Sequence, residues 1–320
     1  MWKRAVCLSC VLLACSIASA QYGSSFDALT ASPGGTVLTG QDGYFLPNGP
    51  PNDTDFLVYT YAANGLGLPA NPSGGTQFIA AIGQAGGTFG RAQRLSNFTP
   101  TGTWTIATDI AATFIGTLPS AQNIGSLSIN EGVPGVFSLI QLARWVNPTT
   151  ADAWNADYVW WTGAGAQVTE QVPDPNFQNL AVDHWYRWST TFSLDTDQVL
   201  EVRLTDLTTG DVFVHEPVDR FIRAGANPDH HRFFAGGSVL GNTLAYDNIS
   251  ITPEEECVPC DMNCDGAINA LDIEPFIGLL FNGDDPCCGN RGDIGSAGDV
   301  NLDGSIDALD IEGFINCLFP

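Results

Sequence analysis

The residues best suited to chemistry lie near the end of the 320-residue chain. Asp261-Met-Asn263-Cys-Asp265-Gly266-Ala267-Ile268-Asn269-Ala-Leu-Asp272 carries an oxygen ligand at every second position up to Asp265, and a glycine follows. This spacing suits a hard cation wrapped by a tight loop. Side chains at loop positions 1, 3 and 5 converge on the ion, position 7 offers a backbone carbonyl, and position 9 often binds through water. The acid at position 12 closes the shell, and glycine at position 6 permits the sharp turn. The roles fall on Asp261, Asn263, Asp265, Ala267 through its carbonyl, Asn269 and Asp272. The pattern returns 38 residues on, from position 261 to position 299, as Asp299, Asn301, Asp303, Ser305 through its carbonyl, Asp307 and Asp310. The match continues beyond each loop, Ile273-Glu274-Pro275-Phe276-Ile277 against Ile311-Glu312-Gly313-Phe314-Ile315. Two bound Ca²⁺ ions are expected, each loop leading into a helix, Asp272 to Phe281 and Asp310 to Phe319.

This tandem resembles a type I dockerin, the calcium-binding module of cellulosomal enzymes. The closing acid is Asp272 or Asp310 where an ordinary EF-hand has Glu. Each loop has a following helix but no evident leading one, and each carries Ala-Leu at positions 10 and 11. The resemblance covers residues 257–320. It implies a pseudo-twofold pair of repeats and a cohesin-like extracellular partner met through Ala270, Leu271, Ala308 and Leu309. The basic residues that dockerins commonly carry further along the helix are absent; Ile277, Gly278, Ile315 and Asn316 stand there.

Charge and cysteine usage set the surroundings. The chain has 35 acidic and 11 basic residues, a formal charge of −24. Lys3 is its only lysine, which excludes Schiff-base and phosphate-loop lysines once a leader is removed. A nucleic-acid partner is not expected, because the basic footprint is missing. An acidic surface favours divalent cations and neutral partners such as polysaccharide. Residues 1–20 read as a signal peptide: Lys3 and Arg4, an apolar run from Ala5 to Cys15, then Ala18-Ser19-Ala20 before the cleavage point. Leu12-Leu13-Ala14-Cys15 offers the alternative of a lipid anchor on Cys15. No segment is long enough to span a membrane. The six later cysteines, Cys257, Cys260, Cys264, Cys287, Cys288 and Cys317, imply three disulfides in an exported module. The expected pairings are Cys264 with Cys287 or Cys288, and Cys317 with Cys257 or Cys260.

The elements before the tandem read as all-β. From residue 21 to residue 252, short runs rich in Val, Ile, Thr, Phe and Trp alternate with Gly/Pro turn signals. Between Trp185 and Leu194 the apolar residues Tyr186, Trp188, Phe192 and Leu194 alternate with Arg187, Ser189, Thr191 and Ser193. Leu200, Val202 and Leu204 repeat the pattern, and a last strand runs from Leu244 to Ile251. A two-sheet sandwich follows, with residues 253–259 as a linker and 260–320 as the small α-helical calcium module. The runs Trp185-Tyr186, Thr205-Asp206-Leu207, Arg232-Phe233-Phe234-Ala-Gly-Gly and Ala245-Tyr246-Asp247-Asn248-Ile249 resemble the closing strands of concanavalin A-like lectin/glucanase jelly rolls. That fold hosts lectins, glucanases and adhesive domains alike.

The Glu-x-Asp-x-x-Glu pattern of the glucanases that share this fold is missing; Asp195 and Asp197 alone have the spacing, at a strand end before a turn, and read as turn acids, and no Gly-x-Ser-x-Gly or His-Glu-x-x-His occurs, so catalysis lacks a motif. Trp185, which shares a strand face with Arg187, and the adjacent Trp160 and Trp161 are the candidates for stacking on sugar rings. The reading is a secreted protein with a carbohydrate-binding sandwich, docked through its calcium module. A glucanase-type hydrolase and a structural surface protein are the alternatives.

Overall fold

The computed structural model describes residues 22–50, 52–82, 89–99, 101–113, 121–133, 136–148, 153–236, 243–254, 259–263, 267–282, 297–301 and 305–319. The chain separates into two compact units at Glu254/Glu255. The first contains β1 (Tyr22–Ser24), β2 (Thr36–Val37), β3 (Asp53–Thr54), β4 (Leu57–Thr60), β5 (Gln77–Ile82), β6 (Phe89–Leu95), β7 (Thr103–Thr113), β8 (Gln122–Val133) and β9 (Val136–Asn147). It continues with β10 (Ala153–Trp161), β11 (Gln167–Gln171), β12 (Leu180–Ala181), β13 (Tyr186–Ser193), β14 (Val199–Asp206), β15 (Val212–His215), β16 (His230–Ala235) and β17 (Thr243–Pro253).

These strands form two sheets. One runs β15-β14-β13-β7-β17-β5-β4-β2, with β1 added beside β17; the other runs β11-β10-β9-β8-β16-β6-β3, with β12 added beside β10. The pairings are antiparallel apart from β3 with β6. Alternation decides what lies between the sheets. Tyr186, Trp188 and Phe192 on β13 and Val202 and Leu204 on β14 are buried, as the period-2 pattern requires; Leu200, expected with them, is only half-buried and Val199 is buried instead, because the register shift opposite Thr191/Phe192 makes Leu200 the extra residue of a bulge.

Aromatic side chains bridge the layers. Trp145 of β9 meets Trp188 of β13 edge to face at 5.3 Å, and Phe233 of β16 lies 4.5 Å from Tyr246 of β17. Trp145 Nε1 donates to the Tyr246 hydroxyl at 2.8 Å, and that hydroxyl also lies within bonding distance of the Ser126 and Phe234 carbonyls. Gly125 sits beside this contact. A Cβ there would come within 2.1 Å of Leu244 and 2.5 Å of the Phe234 carbonyl, so the position demands glycine. A second, smaller cluster lies on the outer face of the first sheet, where Tyr59, Phe78 and Trp185 pack together.

β17 extends to Pro253, and Glu254 still belongs to this unit through its bonds to Thr103 and Thr105. The sandwich thus runs two residues beyond the expected boundary. The second unit contains the helices α1 (Ile273–Asn282) and α2 (Asp310–Leu318). Phe276 and Phe314, equivalent positions of the two repeats, stack on each other at 4.0 Å and 12°. This contact joins the two repeats. Cys260, Met262, Leu279 and Ala297 complete this small core. Cys260 is bonded to Cys317, one of the two expected alternatives for Cys317. Cys257, Cys264, Cys287 and Cys288 lie outside the described residues, as does the signal-peptide segment. No helix among the described residues is long and apolar enough to cross a membrane.

Candidate functional site

The two loops are built alike. Asp272 closes the first: its Oδ1 accepts from the Asn263 N–H at 3.1 Å and its Oδ2 from the Asn269 N–H at 2.7 Å. Asp310 does the same in the second, accepting from Asn301 at 3.2 Å and from Asp307 at 2.9 Å, with a further bond from Val300 at 2.9 Å. Asn269 and Asp307 cap the turns that follow, accepting from the Leu271 and Leu309 N–H groups. Each closing acid therefore ties the start of its loop to the start of its helix.

Asp272 and Asp310 are 0% exposed, and Asp261 and Asp299 are also buried. Ionised carboxylates taken from water need compensating positive charge. The described residues of this unit contain no Lys, Arg or His. The donor set is thus of the hard, anionic kind that a Ca²⁺ ion would neutralise. Asn263, Ala267, Asn301 and Ser305 lie on the described parts of the same loops; Asp265 and Asp303 fall outside them. Among the described residues alone, no three His, Cys, Asp or Glu side chains come together as a metal cluster.

The Ala-Leu dyads point outward. Leu271 is 66% and Leu309 68% exposed. The duplication extends along both helices: Ile273 and Ile311 are 38% and 40% exposed, Ile277 and Ile315 47% and 49%, Phe281 and Phe319 84% and 75%. Ile277 and Ile315 occupy the helix positions singled out as lacking basic residues.

In the sandwich, the expected sugar platform is corrected. Trp185 is buried against Tyr61 and Phe78, and its indole N–H donates to the Pro69 carbonyl at 2.9 Å. The segment after β4 covers its face, which strand alternation alone does not reveal. Trp161 is buried beside Phe221. Trp160 is partly buried, donates to Glu170 at 2.8 Å, and has the Arg220 guanidinium 4.1 Å from its ring centre. Arg187 instead grips Asp109 with two bonds of 2.6 and 3.0 Å.

Asp109 belongs to a buried knot. It stands directly across from Asp247 on β17, and Asn71 Nδ2 donates to both carboxylates at 2.8 and 3.2 Å. Tyr61 donates to Asp247 at 2.7 Å, and Asn248 Nδ2 donates to Asp109 at 2.8 Å. Burial pushes the Asp247 carboxyl up to about 7. The adjoining open cleft of about 570 Å³ is lined by Ser24, Ser25, Ser73, Arg187, Asn248, Ile249 and Ser250, with neither carboxylate at its wall. A motif search along one strand misses this pair, because its members come from strands 138 residues apart (109 and 247). The donors it receives satisfy both carboxylates.

No protein-family model matches the chain, and no curated protein matches it. Solved structures do. A conserved carbohydrate esterase from the Shiga toxin-encoding bacteriophage phi24B is 13% identical, covering 74% of this chain and 99% of its own, with a TM-score of 0.46. An endo-β-1,4-glucuronan lyase from the fungus Trichoderma reesei is 11% identical over 73% of this chain and 96% of its own, with a TM-score of 0.43. Basic winged bean lectin, in a structure with Tn-antigen, is 10% identical over 54% and 85%, with a TM-score of 0.35. At these scores the likeness assigns neither an activity nor a ligand to this chain.

Proposed function

We propose that the chain is an exported protein whose C-terminal unit binds two Ca²⁺ ions and docks on an extracellular protein, carrying a sandwich that binds polysaccharide. The observation that carries this reading is the duplicated apolar face. Single exposed apolar residues are ordinary. Four pairs, each of equivalent positions and matched exposure, give each repeat its own exposed apolar residues, which favours a partner. The ions would hold the loops from which Leu271 and Leu309 project, and a leucine fixed by a rigid loop is a suitable anchor. The Cys260–Cys317 bond supports an oxidising compartment.

Because the two faces are equivalent, either one serves as the docking side. Leu271→Asp and Leu309→Asp are each expected to leave docking intact. The double change is expected to abolish it without altering the far-UV spectrum. The measurement is capture of partner from the exported proteins of the source organism, with calcium and with chelator. Capture that survives both the double change and chelation rules out docking by this face.

A further inference from the structure

The second sheet carries a polar face that the docking unit does not explain. Register defines it. Arg91, Phe234, Ser126, Arg144 and Asp157 stand opposite one another across β6, β16, β8, β9 and β10. The adjacent row is Gln93, Arg232, Ser128 and Gln141, and the one beyond begins Leu95, His230 and Asn130. The intervening row, Ala92, Phe233, Leu127, Ala143 and Tyr158, faces the core. Gln141 and Arg144 are three residues apart, and strict alternation would part them. The register shift opposite Leu127/Ser128 leaves Leu142 as the extra residue and turns both onto the polar face.

This face holds unmet hydrogen-bonding capacity. Gln93, Ser128 and Asn130 are 0% exposed. Yet Gln93 Nε2, Ser128 Oγ and both side-chain polar atoms of Asn130 have no hydrogen-bond partner among the described residues; nor do Arg144 Nε and Asp157 Oδ1. Six of the eleven orphaned buried side-chain atoms among the described residues lie on this one face. Buried polar atoms are nearly always satisfied, so such a concentration calls for a partner that brings both donors and acceptors.

The face is also locally basic. Arg91 pairs with Asp53 and lies over the Phe89 and Phe234 rings at 5.2 and 5.5 Å. Arg232 donates to Gln93 Oε1 at 2.8 Å, and burial, helped by the charge of Arg91, lowers its pKa to about 10. Asp157 is pushed up to about 6 by burial, against the neighbouring Gln178 side chain and the charge of Arg144, and so remains mostly ionised at neutral pH. Among the described residues, three of the chain's few cations, Arg91, Arg144 and Arg232, thus share one face with two acids, Asp53 and Asp157. At about 0.15 M salt the acidic remainder of the molecule is screened beyond roughly 8 Å.

The geometry points to a binding site for an anionic polysaccharide, a chain of hydroxylated rings bearing carboxylates, laid across β6 to β10. Sugar hydroxyls meet the orphaned donors and acceptors of Gln93, Ser128, Asn130 and Asp157, while ring carboxylates meet Arg144 and Arg232. Four strand spacings of about 4.8 Å make the face roughly 19 Å wide, a span for an oligomer more than for a single ion. The assignment rests on the polysaccharide-binding reading above and narrows it to one face and one charge class.

The test is calorimetric titration of the full-length protein with short oligomers of three kinds, a polyglucuronate, the matching neutral glucan and a sulfated glucan, each with calcium and with chelator. The polyglucuronate is expected to bind at least tenfold more tightly than the neutral oligomer, to weaken with added salt, and to be indifferent to chelator. Arg144→Gln and the isosteric Gln141→Glu are each expected to weaken it at least tenfold. Arg203→Gln, on β14 of the other sheet, is expected to change nothing. Equal binding of the neutral oligomer overturns the charge class and leaves polysaccharide binding standing; no binding of any oligomer removes both. Binding of the sulfated oligomer alone overturns the carboxylate assignment. Undiminished binding by a folded Gln141→Glu protein overturns the location.

Discussion

Asp247 concentrates several effects in one side chain. Its carboxyl is buried across from Asp109, whose charge is taken up by Arg187, so ionising both acids would put two anions side by side. Burial is the larger cause of its raised pKa, with the Asp109 charge adding to it, and the hydrogen bonds from Tyr61, Asn248 and Asn71 act in the opposite sense. A carboxyl with an unfolded pKa near 3.9 and a folded one of about 7 holds its proton more firmly in the folded state. Its contribution to stability is fully present below pH ~4 and is lost as the pH rises through about 7. His231 works in the other direction. It is buried between the Tyr44 and Ser96 hydroxyls with its pKa lowered to about 3, so its contribution is present above about 6.5 and lost as the pH falls towards 3. The two slopes oppose each other, and only a difference isolates one. Chemical denaturation of Asp247→Asn and the parent at pH 5 and pH 7 is expected to show the parent losing more stability over that interval, by up to ~1.4 kcal/mol per pH unit. Parallel pH profiles would contradict the assignment. The strand run around Asp247 was readable, but nothing local in it names Asp109 or Arg187 as neighbours.

At the scale of elements, close approach between the sheets is the main constraint. Gly125 lets β8 pass under Leu244 and Trp145. Gly125→Ala is expected to cost about 1–3 kcal/mol by overpacking, seen as a lower urea midpoint with an unchanged slope. A neutral result would mean that β8 and β17 yield without strain. The late strands β13 and β14 were legible because apolar and polar residues alternate over much of their length, although the bulge at Leu200 leaves it half-buried where alternation placed it in the core. The middle strands β7, β8 and β9 were not, because runs such as Ala107-Thr108-Asp109 and Ser126-Leu127-Ser128 have little contrast, and bulges break their parity. The tryptophans misled for a related reason. Alternation says which side of a strand a ring occupies, and Trp185 does lie on the outer side, but only the tertiary path brings Tyr61, Pro69 and Phe78 over it. Each helix was legible to within a residue at either end, since a loop with a fixed ligand pattern also fixes where the following helix begins. The polar face of the second sheet had no motif to announce it; the sparse arginines on alternating strands were its only trace.

Over the whole molecule, the two units depend on different sources of stability. The sandwich has a continuous core that includes Trp104, Trp145, Trp154 and Trp188. The C-terminal unit has a core of a few residues, buried acids without a described basic residue, and a disulfide closing 57 residues of sequence separation. In the chain-entropy account, such a loop contributes about 4 kcal/mol. A stretch of this size with so small a core needs staples of this kind. On the proposed reading calcium would be the second staple: at a hundredfold excess over its dissociation constant, each independent site would add about 2.7 kcal/mol. Scanning calorimetry of the full chain is expected to show two transitions, the sandwich melting at a temperature insensitive to chelator and the C-terminal unit shifting downward when calcium is removed. Asp272→Ala or Asp310→Ala is expected to lose one calcium site each and to lower the same transition. Reduction of Cys260–Cys317 should lower it further in the calcium-free state, because the two staples act on one small core. A C-terminal transition that ignored chelator would show that the disulfide suffices and that the buried acids are balanced without an ion.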